Sequence, residues 1–310
     1  MIKRTLYFGN PSYLSLNNSQ MVLRLPEVEK SDTLVSEFKK KALKTFPIED
    51  IGVVILDHQQ ITLTQALMIA LLENNVALIS CDGTHHPSGI FLPLVGNTLQ
   101  TERFREQVEA SLPLKKNLWQ QTVQAKIRNQ ASALRISGVS TDNMLYWAGA
   151  VRSGDPDNYE ARAAAYYWKN IFPEELNFTR DRDGLPPNNL LNYGYAVLRA
   201  IVARGLTGSG LLPTLGIHHR NKYNAFCLAD DIMEPYRPLV DRLIREMLLE
   251  VGEITELTPE LKKRLLGIPV MDVWIEGERS PLMVSMQRTT ASLVRCFSGE
   301  SRKILYPEFR

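Results

Sequence analysis

The residues best suited to chemistry lie between positions 216 and 238. Gly216-Ile217-His218-His219 is followed by Asp230-Asp231-Ile232-Met233-Glu234-Pro235-Tyr236-Arg237-Pro238. Asp231 and Glu234 stand at i and i+3, so a helix sets both acids on one side, a turn apart. A histidine delivered by the preceding loop would complete a donor set for a hard divalent cation. Carboxylate oxygens favour Mg2+ or Mn2+, and an imidazole suits Mn2+ better. Such ions serve many enzymes that cut or join phosphodiesters. A competing explanation needs no metal. A helical wheel over residues 228–248 puts Leu228, Ile232, Tyr236, Leu239, Leu243 and Met247 on one stripe, leaving Asp231 and Glu234 on a solvated acidic face. Spacing alone leaves open both explanations, both acids and both histidines.

A third acid, Glu160, opens the alanine-rich stretch Glu160-Ala161-Arg162-Ala163-Ala164-Ala165-Tyr166-Tyr167-Trp168. The helix dipole favours an acid there, and its functional reading is as another anionic ligand. Arg288, Arg295 and Arg302 recur every seven residues. They would share a face if the last helix reached that far, and could then meet phosphates or simply water. Tyr166, Tyr167 and Trp168 are expected in the core, Lys39-Lys40-Lys41 in a solvated turn, and the doublet His85-His86 in a structural loop. No nucleophile elbow, phosphate-binding glycine loop or dinucleotide fingerprint is present.

Positioning these residues falls to two regions. The first third reads as β-rich: a strand at the start, runs at 13–16 and 21–25 around a turn, a buried strand at 51–56, a helix over 62–73 ended by Asn74-Asn75, and a strand at 76–79. Pro87, Gly89, Pro93 and Gly96 then break the pattern. From 102 helices dominate, at 102–111 and 114–137 and then from Asp155-Pro156 onward. Others are expected at 188–204 with Gly205 as cap, from 226 with a kink at Pro235 and Pro238, at 238–251 and from Thr258 to Gly267. A strand is expected at 271–275 and a helix at 281–297. The expected fold class is α+β: a small amino-terminal β-rich domain, residues 1–98, then a larger all-α catalytic domain, residues 99–310.

The bulk numbers exclude several classes. The chain has 310 residues, 44% hydrophobic and 23% charged, with net charge +2. That lacks the global basic excess of a typical nucleic-acid binder, so any DNA-binding charge must be sorted into a patch by folding. Cys81, Cys227 and Cys296 form no Cys-x-x-Cys pair, which argues against structural zinc and a disulfide framework and fits a reducing cytoplasm. No membrane span or signal peptide is expected.

Taken in order, the segments resemble the CRISPR-associated integrase family, the large subunit of the spacer-acquisition complex, in its type II form. Glu160 to Trp168 resembles the family's first acidic motif, and Gly216-Ile217-His218-His219 its Gly-x-x-His motif, which selects His219. Leu228 to Pro238 resembles its acidic helix motif. Arg4-Thr5-Leu6-Tyr7-Phe8 and the stretch 51–81 resemble its amino-terminal domain. The resemblance implies metal-dependent cleavage and strand transfer of double-stranded DNA. Its implied ligands are Glu160, His219 and Glu234, with Asp231 filling the last role in other members. It also implies a homodimer, a small ferredoxin-like companion subunit and contact with the effector nuclease of type II systems. Arg162, Arg237, Arg288 and Arg295 are the expected phosphate contacts. The alternatives are a non-catalytic helical scaffold and a phosphodiesterase for branched nucleic acid.

Overall fold

The computed structural model describes residues 3–29, 43–181, 184–252 and 254–309. Lys39-Lys40-Lys41 lies outside them. Contacts divide the chain into two compact units, Met1–Gly96 and Asn97–Arg310, each taken here by itself.

The amino-terminal unit holds two four-stranded sheets. In the first, β1 (Arg4–Phe8), β5 (Ile51–Leu56) and β7 (Ala77–Cys81) run parallel, and β8 (Pro87–Phe91) returns antiparallel beside β7. β5 is buried almost throughout, as a continuous apolar run in a parallel sheet must be. β8 occupies a stretch read from sequence as pattern-breaking. Pro87 is tolerated because it is the first residue of an edge strand. The second sheet orders β4 (Lys44–Pro47), β3 (Gln20–Arg24), β2 (Ser12–Asn17) and β6 (Ile61–Leu63). Asn18 and Ser19 take positive φ in the tight β2–β3 turn. A four-residue helix, α1 (Pro26–Glu29), follows β3.

The helix expected over 62–73 is shorter. Residues 61–63 pair with β2, and α2 (Gln65–Glu73) begins only after Thr64, whose side chain accepts a hydrogen bond from Leu67 N. Leu67 and Leu71 of α2 join Leu14, Met21, Ile51, Val54 and Leu78 in one apolar core.

The carboxy-terminal unit is helical apart from one hairpin. Its elements are α3 (Gln100–Glu109), α4 (Leu112–Arg135), α5 (Asp142–Ala150), α6 (Tyr159–Asn170), α7 (Asn188–Gly208), α8 (Cys227–Met233), α9 (Arg237–Val251), α10 (Pro259–Leu265), β9 (Asp272–Ile275), β10 (Glu278–Pro281) and α11 (Leu282–Phe297). A 3₁₀ turn, Glu234–Tyr236, joins α8 to α9 at the expected kink. Gly205 does not cap α7. The helix runs on to Gly208, and Gly205 instead lets α11 approach closely, with Met286 Cγ 3.2 Å from where a Cβ would stand. Glu276 and Gly277 turn the β9–β10 hairpin with positive φ at both positions. α11 ends at Phe297, so Arg302 does not continue its face. Residues beyond α11 fold back along α4: Gln121 Nε2 donates to Arg302 O, Ile304 N to Gln121 Oε1, and the Thr122 and Tyr306 hydroxyls are 2.8 Å apart.

Candidate metal centre

Four elements of the carboxy-terminal unit supply the site: α4, α6, the loop 209–226 and the α8 to α9 segment. Glu160 stands in the first turn of α6. Asp155 fixes that turn from outside the helix: Oδ1 accepts from Tyr159 N and Oδ2 from Glu160 N, both at 2.9 Å. Pro156 is not in the helix, because the left-handed Asn158 intervenes before α6 starts. Asp155 therefore caps at a distance, and the acid it positions is Glu160.

The α8 segment does not present a solvated acidic face. All seven residues of α8 are buried, Asp231 is 0% exposed, and Glu234 in the following turn is 6% exposed. Buried carboxylates must be paired or hydrogen-bonded, and these are. Asp231 accepts from His218 N at 3.0 Å and His219 N at 3.2 Å, and its Oδ1 lies 2.5 Å from His219 Nδ1. That contact commits Nδ1 of His219 to Asp231 and leaves Nε2 as the ring nitrogen that could meet a ligand. Gly216 makes the arrangement possible. A Cβ there would stand 2.5 Å from His219 O and 2.7 Å from Asp231 Oδ2. The two histidines part at Trp119 of α4, which is itself buried. His218 stacks flat on the indole, 4.0 Å between centroids, whereas His219 meets it edge-on at 5.7 Å.

Glu160 and Glu234 converge on one point, which is occupied by a side chain that the sequence reading missed. The Lys126 ammonium of α4 lies 2.7 Å from Glu160 Oε1 and 2.6 Å from Glu234 Oε2. The two carboxylate oxygens are therefore no farther apart than the sum of those lengths. Arg237 Nε sits 3.0 Å from Glu234 Oε1, and its guanidinium lies over the Tyr195 ring, 4.6 Å from the centroid. These contacts to Glu234 are ionic and lack hydrogen-bond direction. Glu234 Oε2 and Arg237 Nε are buried polar atoms with no hydrogen bond. Burial alone would raise the Glu234 carboxyl, but Arg237 and Lys126 outweigh it and bring it down to about 2. Burial likewise works against the Lys126 ammonium, and Glu234 and Glu160 more than offset it. His219 is raised, first by its bond to Asp231 and also by the charges of Glu234 and Glu160. All three groups thus share one electrostatic neighbourhood.

Among the described residues, no three His, Cys, Asp or Glu side chains are spaced as a closed metal cage. The reason is visible in the geometry: Lys126 stands between the two glutamates, and Asp231 is turned to His219. The donor set nevertheless fits a hard divalent ion. It offers two carboxylates whose oxygens already converge on a cation, and an imidazole oriented by a third carboxylate.

The expected phosphate contacts fall in different places. Arg237 belongs to the site. Arg162 is exposed on α6 over the Tyr159 ring, Arg288 pairs with Glu278 at 2.9 Å, and Arg295 is exposed on α11. Tyr167 is fully buried and donates to Asp241 Oδ2, while the Tyr195 hydroxyl donates to Asp241 Oδ1. His85 lies in the other unit, with Nδ1 2.8 Å from the buried Asp57.

Comparison with known proteins decides the family. The family described as CRISPR associated protein Cas1 matches residues 27–257. The chain is 37% identical over 308 residues to the CRISPR-associated endonuclease Cas1 of Neisseria meningitidis serogroup C (strain 8013), covering 98% of this chain and 95% of that one. It belongs to the Cas1 family. A second Cas1 endonuclease, from Pyrobaculum aerophilum, is 26% identical across 83% of this chain and 90% of its own length. The fold agrees with solved Cas1 structures. A Cas1 protein from Thermotoga maritima superposes with a TM-score of 0.70 at 16% identity, covering 96% of this chain and 97% of that one. A casposase bound to integration product gives 0.76 at 19% identity, covering 98% and 92%. The α+β class, β-rich at the amino end and helical beyond, is that of both solved structures.

Proposed function

We propose that this Cas1 chain is a metal-dependent DNA endonuclease and integrase that inserts foreign DNA fragments as new spacers into a CRISPR repeat array. The observation that carries the reading is the convergence of Glu160 and Glu234 on a single partly buried point beside a histidine whose Nδ1 is held by Asp231. Glu160, Glu234 and His219 Nε2 are the ligands of one Mg2+ or Mn2+ ion, and Asp231 acts through His219. When bound, the ion lowers the pKa of a DNA 3′-hydroxyl and offsets charge on the phosphoryl oxygens.

The reaction is a transesterification. The incoming 3′-oxygen forms a bond to phosphorus as the repeat strand's P–O bond breaks, so no energy carrier is needed. Around that step the protein does three things. Asp231 and Trp119 hold the imidazole in one orientation. Asp155 fixes the turn that carries Glu160. Arg237 keeps Glu234 ionised and lies within reach of an incoming phosphate, where a guanidinium binds well. Arg162, Arg288 and Arg295 are assigned to phosphates farther along the DNA.

Named relatives support the partners. One structure of this fold holds a Cas1 in a Cas6-RT-Cas1–Cas2 complex, and another is a Cas1–DNA complex. Those structures support DNA and a Cas2 partner; from the family resemblance we infer a homodimer, a ferredoxin-like form for the small companion subunit, a double-stranded substrate and a cytoplasmic location. We assign residues 1–98 to dimerisation and partner contacts and residues 99–310 to catalysis. None of the helices in the described residues is long and apolar enough to cross a membrane.

The test is strand transfer of a short duplex into a repeat-containing plasmid, with the companion subunit and Mn2+ or Mg2+. Wild type should give ion-dependent joining, and Glu160→Ala and Glu234→Ala should give none. Retention of wild-type joining by either variant refutes the assignment. One observation favours a second reading: a lysine between two glutamates is also what a purely structural ion-pair knot looks like. A non-catalytic scaffold predicts that a chelator changes no activity.

A further inference from the structure

Five charged side chains meet in the site. Three are carboxylates (Glu160, Glu234 and Asp231) and two are cations (Lys126 and Arg237), which leaves one net negative charge. Arg237 contacts the other oxygen of Glu234, Oε1, and Asp231 is turned to His219. Lys126 alone touches both glutamates, at distances of 2.7 and 2.6 Å, and its side chain is 13% exposed. A divalent ion held by Glu160 and Glu234 needs oxygens at about 2.0–2.6 Å. The ammonium lies on one oxygen of each glutamate, Oε1 of Glu160 and Oε2 of Glu234, and fills the point between them, so an ion held between the two glutamates competes with it for that place.

We propose that Lys126 is a built-in placeholder cation. It keeps Glu160 and Glu234 together when no metal is bound, and the arriving ion must displace it from at least one of them. This rests on the metal-site reading above and deepens it, because it makes the site self-competing. The apparent affinity for metal is the intrinsic affinity multiplied by the fraction of molecules in which Lys126 has let go. The arrangement has a second effect. Two buried carboxylates with neither metal nor lysine would repel and drag in water. The lysine therefore preserves the ligand geometry between ions, and Lys126 is a positioning residue.

The experiment measures binding and stability, with no DNA and no activity readout. Chelator-stripped full-length wild type and Lys126→Met are titrated with Mn2+ by calorimetry. Each is also melted in chelator and in saturating Mn2+. The inference expects Lys126→Met to bind Mn2+ at least about tenfold more tightly, in keeping with removal of the competing state. It also expects a lower melting temperature in chelator, with most of the deficit restored by Mn2+. Lys126→Gln, which keeps a polar end, should show the same two trends more weakly and serves if the methionine variant does not fold. Equal or weaker Mn2+ binding by a folded Lys126 variant overturns the inference alone. So does a melting deficit that Mn2+ does not repair. Absence of Mn2+ binding by both wild type and variant removes the metal site, and this inference with it.

Discussion

The two units bury different things. In the amino-terminal unit the interior is hydrocarbon. Among its described residues, Ser12 and Asp57 are the buried polar side chains, and Asp57 is tied to the Tyr7 hydroxyl at 2.6 Å and to His85. The carboxy-terminal unit buries the charged side chains Asp230, Asp231, Glu234, Asp241, Arg204 and Lys262, together with uncharged polar ones such as Thr122, Asn129 and Thr289, within its helical core. Desolvating charge is costly, and a buried ion pair seldom outperforms well-packed apolar side chains in stability. A unit selected only to pack would not carry so many. The difference points to the second unit as the one where chemistry has been given priority over stability, and Asp231 and Glu234 are among the charges it buries.

The largest effect that would break this comparison is at the site itself. Glu234→Ala should reduce strand transfer by about a thousandfold or more, on the scale of losing preorganised charge stabilisation. A gel assay of joined product reads it. Leu71→Ala, in the apolar core of the other unit, should behave in the opposite way. It should cost about 2–5 kcal/mol of stability, seen in denaturant melts, and leave Mn2+ affinity unchanged. If Leu71→Ala weakened Mn2+ binding, the two interiors would not be energetically separate.

Two glycines sharpen the contrast. Gly216→Ala must displace either His219 O or Asp231 Oδ2, so Mn2+ affinity should fall by about 10–100-fold, as for lost support of a ligand. Gly89→Ala meets only Ser80 Cβ at 3.8 Å and should change neither folding nor binding. The smallest expected effect is on pH dependence. Burial pushes the Asp241 carboxyl up to about 7, against hydrogen bonds from Tyr195 and Tyr167 and the charge of Arg237 that pull it down. The folded chain then holds a proton that the unfolded chain has lost. The group's contribution is fully present below the ordinary carboxylate range and is lost as pH rises through about 7. Melting temperatures between pH 4.5 and 8 should show wild type losing ground to Asp241→Asn as pH rises. A constant gap between the two would remove Asp241 as the cause.

Much of this was legible from residue types alone. The buried strand at 51–56, most helices of the second unit and the kink at Pro235 follow from local pattern and appear, whereas α5 is not among the expected helices and α6 starts later than Asp155-Pro156 suggests. Glu160, His219 and Glu234 stood out because acids and histidines are conspicuous at those spacings. Lys126 did not, because a lysine midway along a long helix is ordinary until the fold places two glutamates against it. Trp119 was hidden for the same reason, because its role depends on partners distant in sequence; Asp155 reads as a helix-entry cap, but its hold on the Glu160 amide needs the left-handed turn at Asn158, which the pattern does not show. The strands at 61–63, 87–91 and 278–281 were missed because pairing with a neighbour, not intrinsic preference, makes them extended. The alternative of a solvated acidic face fails, since Asp231 and Glu234 are buried, because a wheel shows which residues align but not what covers them.

One rod runs through everything that matters in the second unit. Along α4, Trp119 seats both histidines, Thr122 meets Tyr306, Lys126 spans the glutamates, and Asn129 donates to Pro235 O at 2.7 Å and Pro307 O at 3.0 Å. Adding a single residue between Trp119 and Lys126 would swing every later side chain by about 100°. The histidine seat and the carboxylate bridge would then face different directions, though composition and helix propensity would barely change. Length in that span is therefore as constrained as the identity of any ligand.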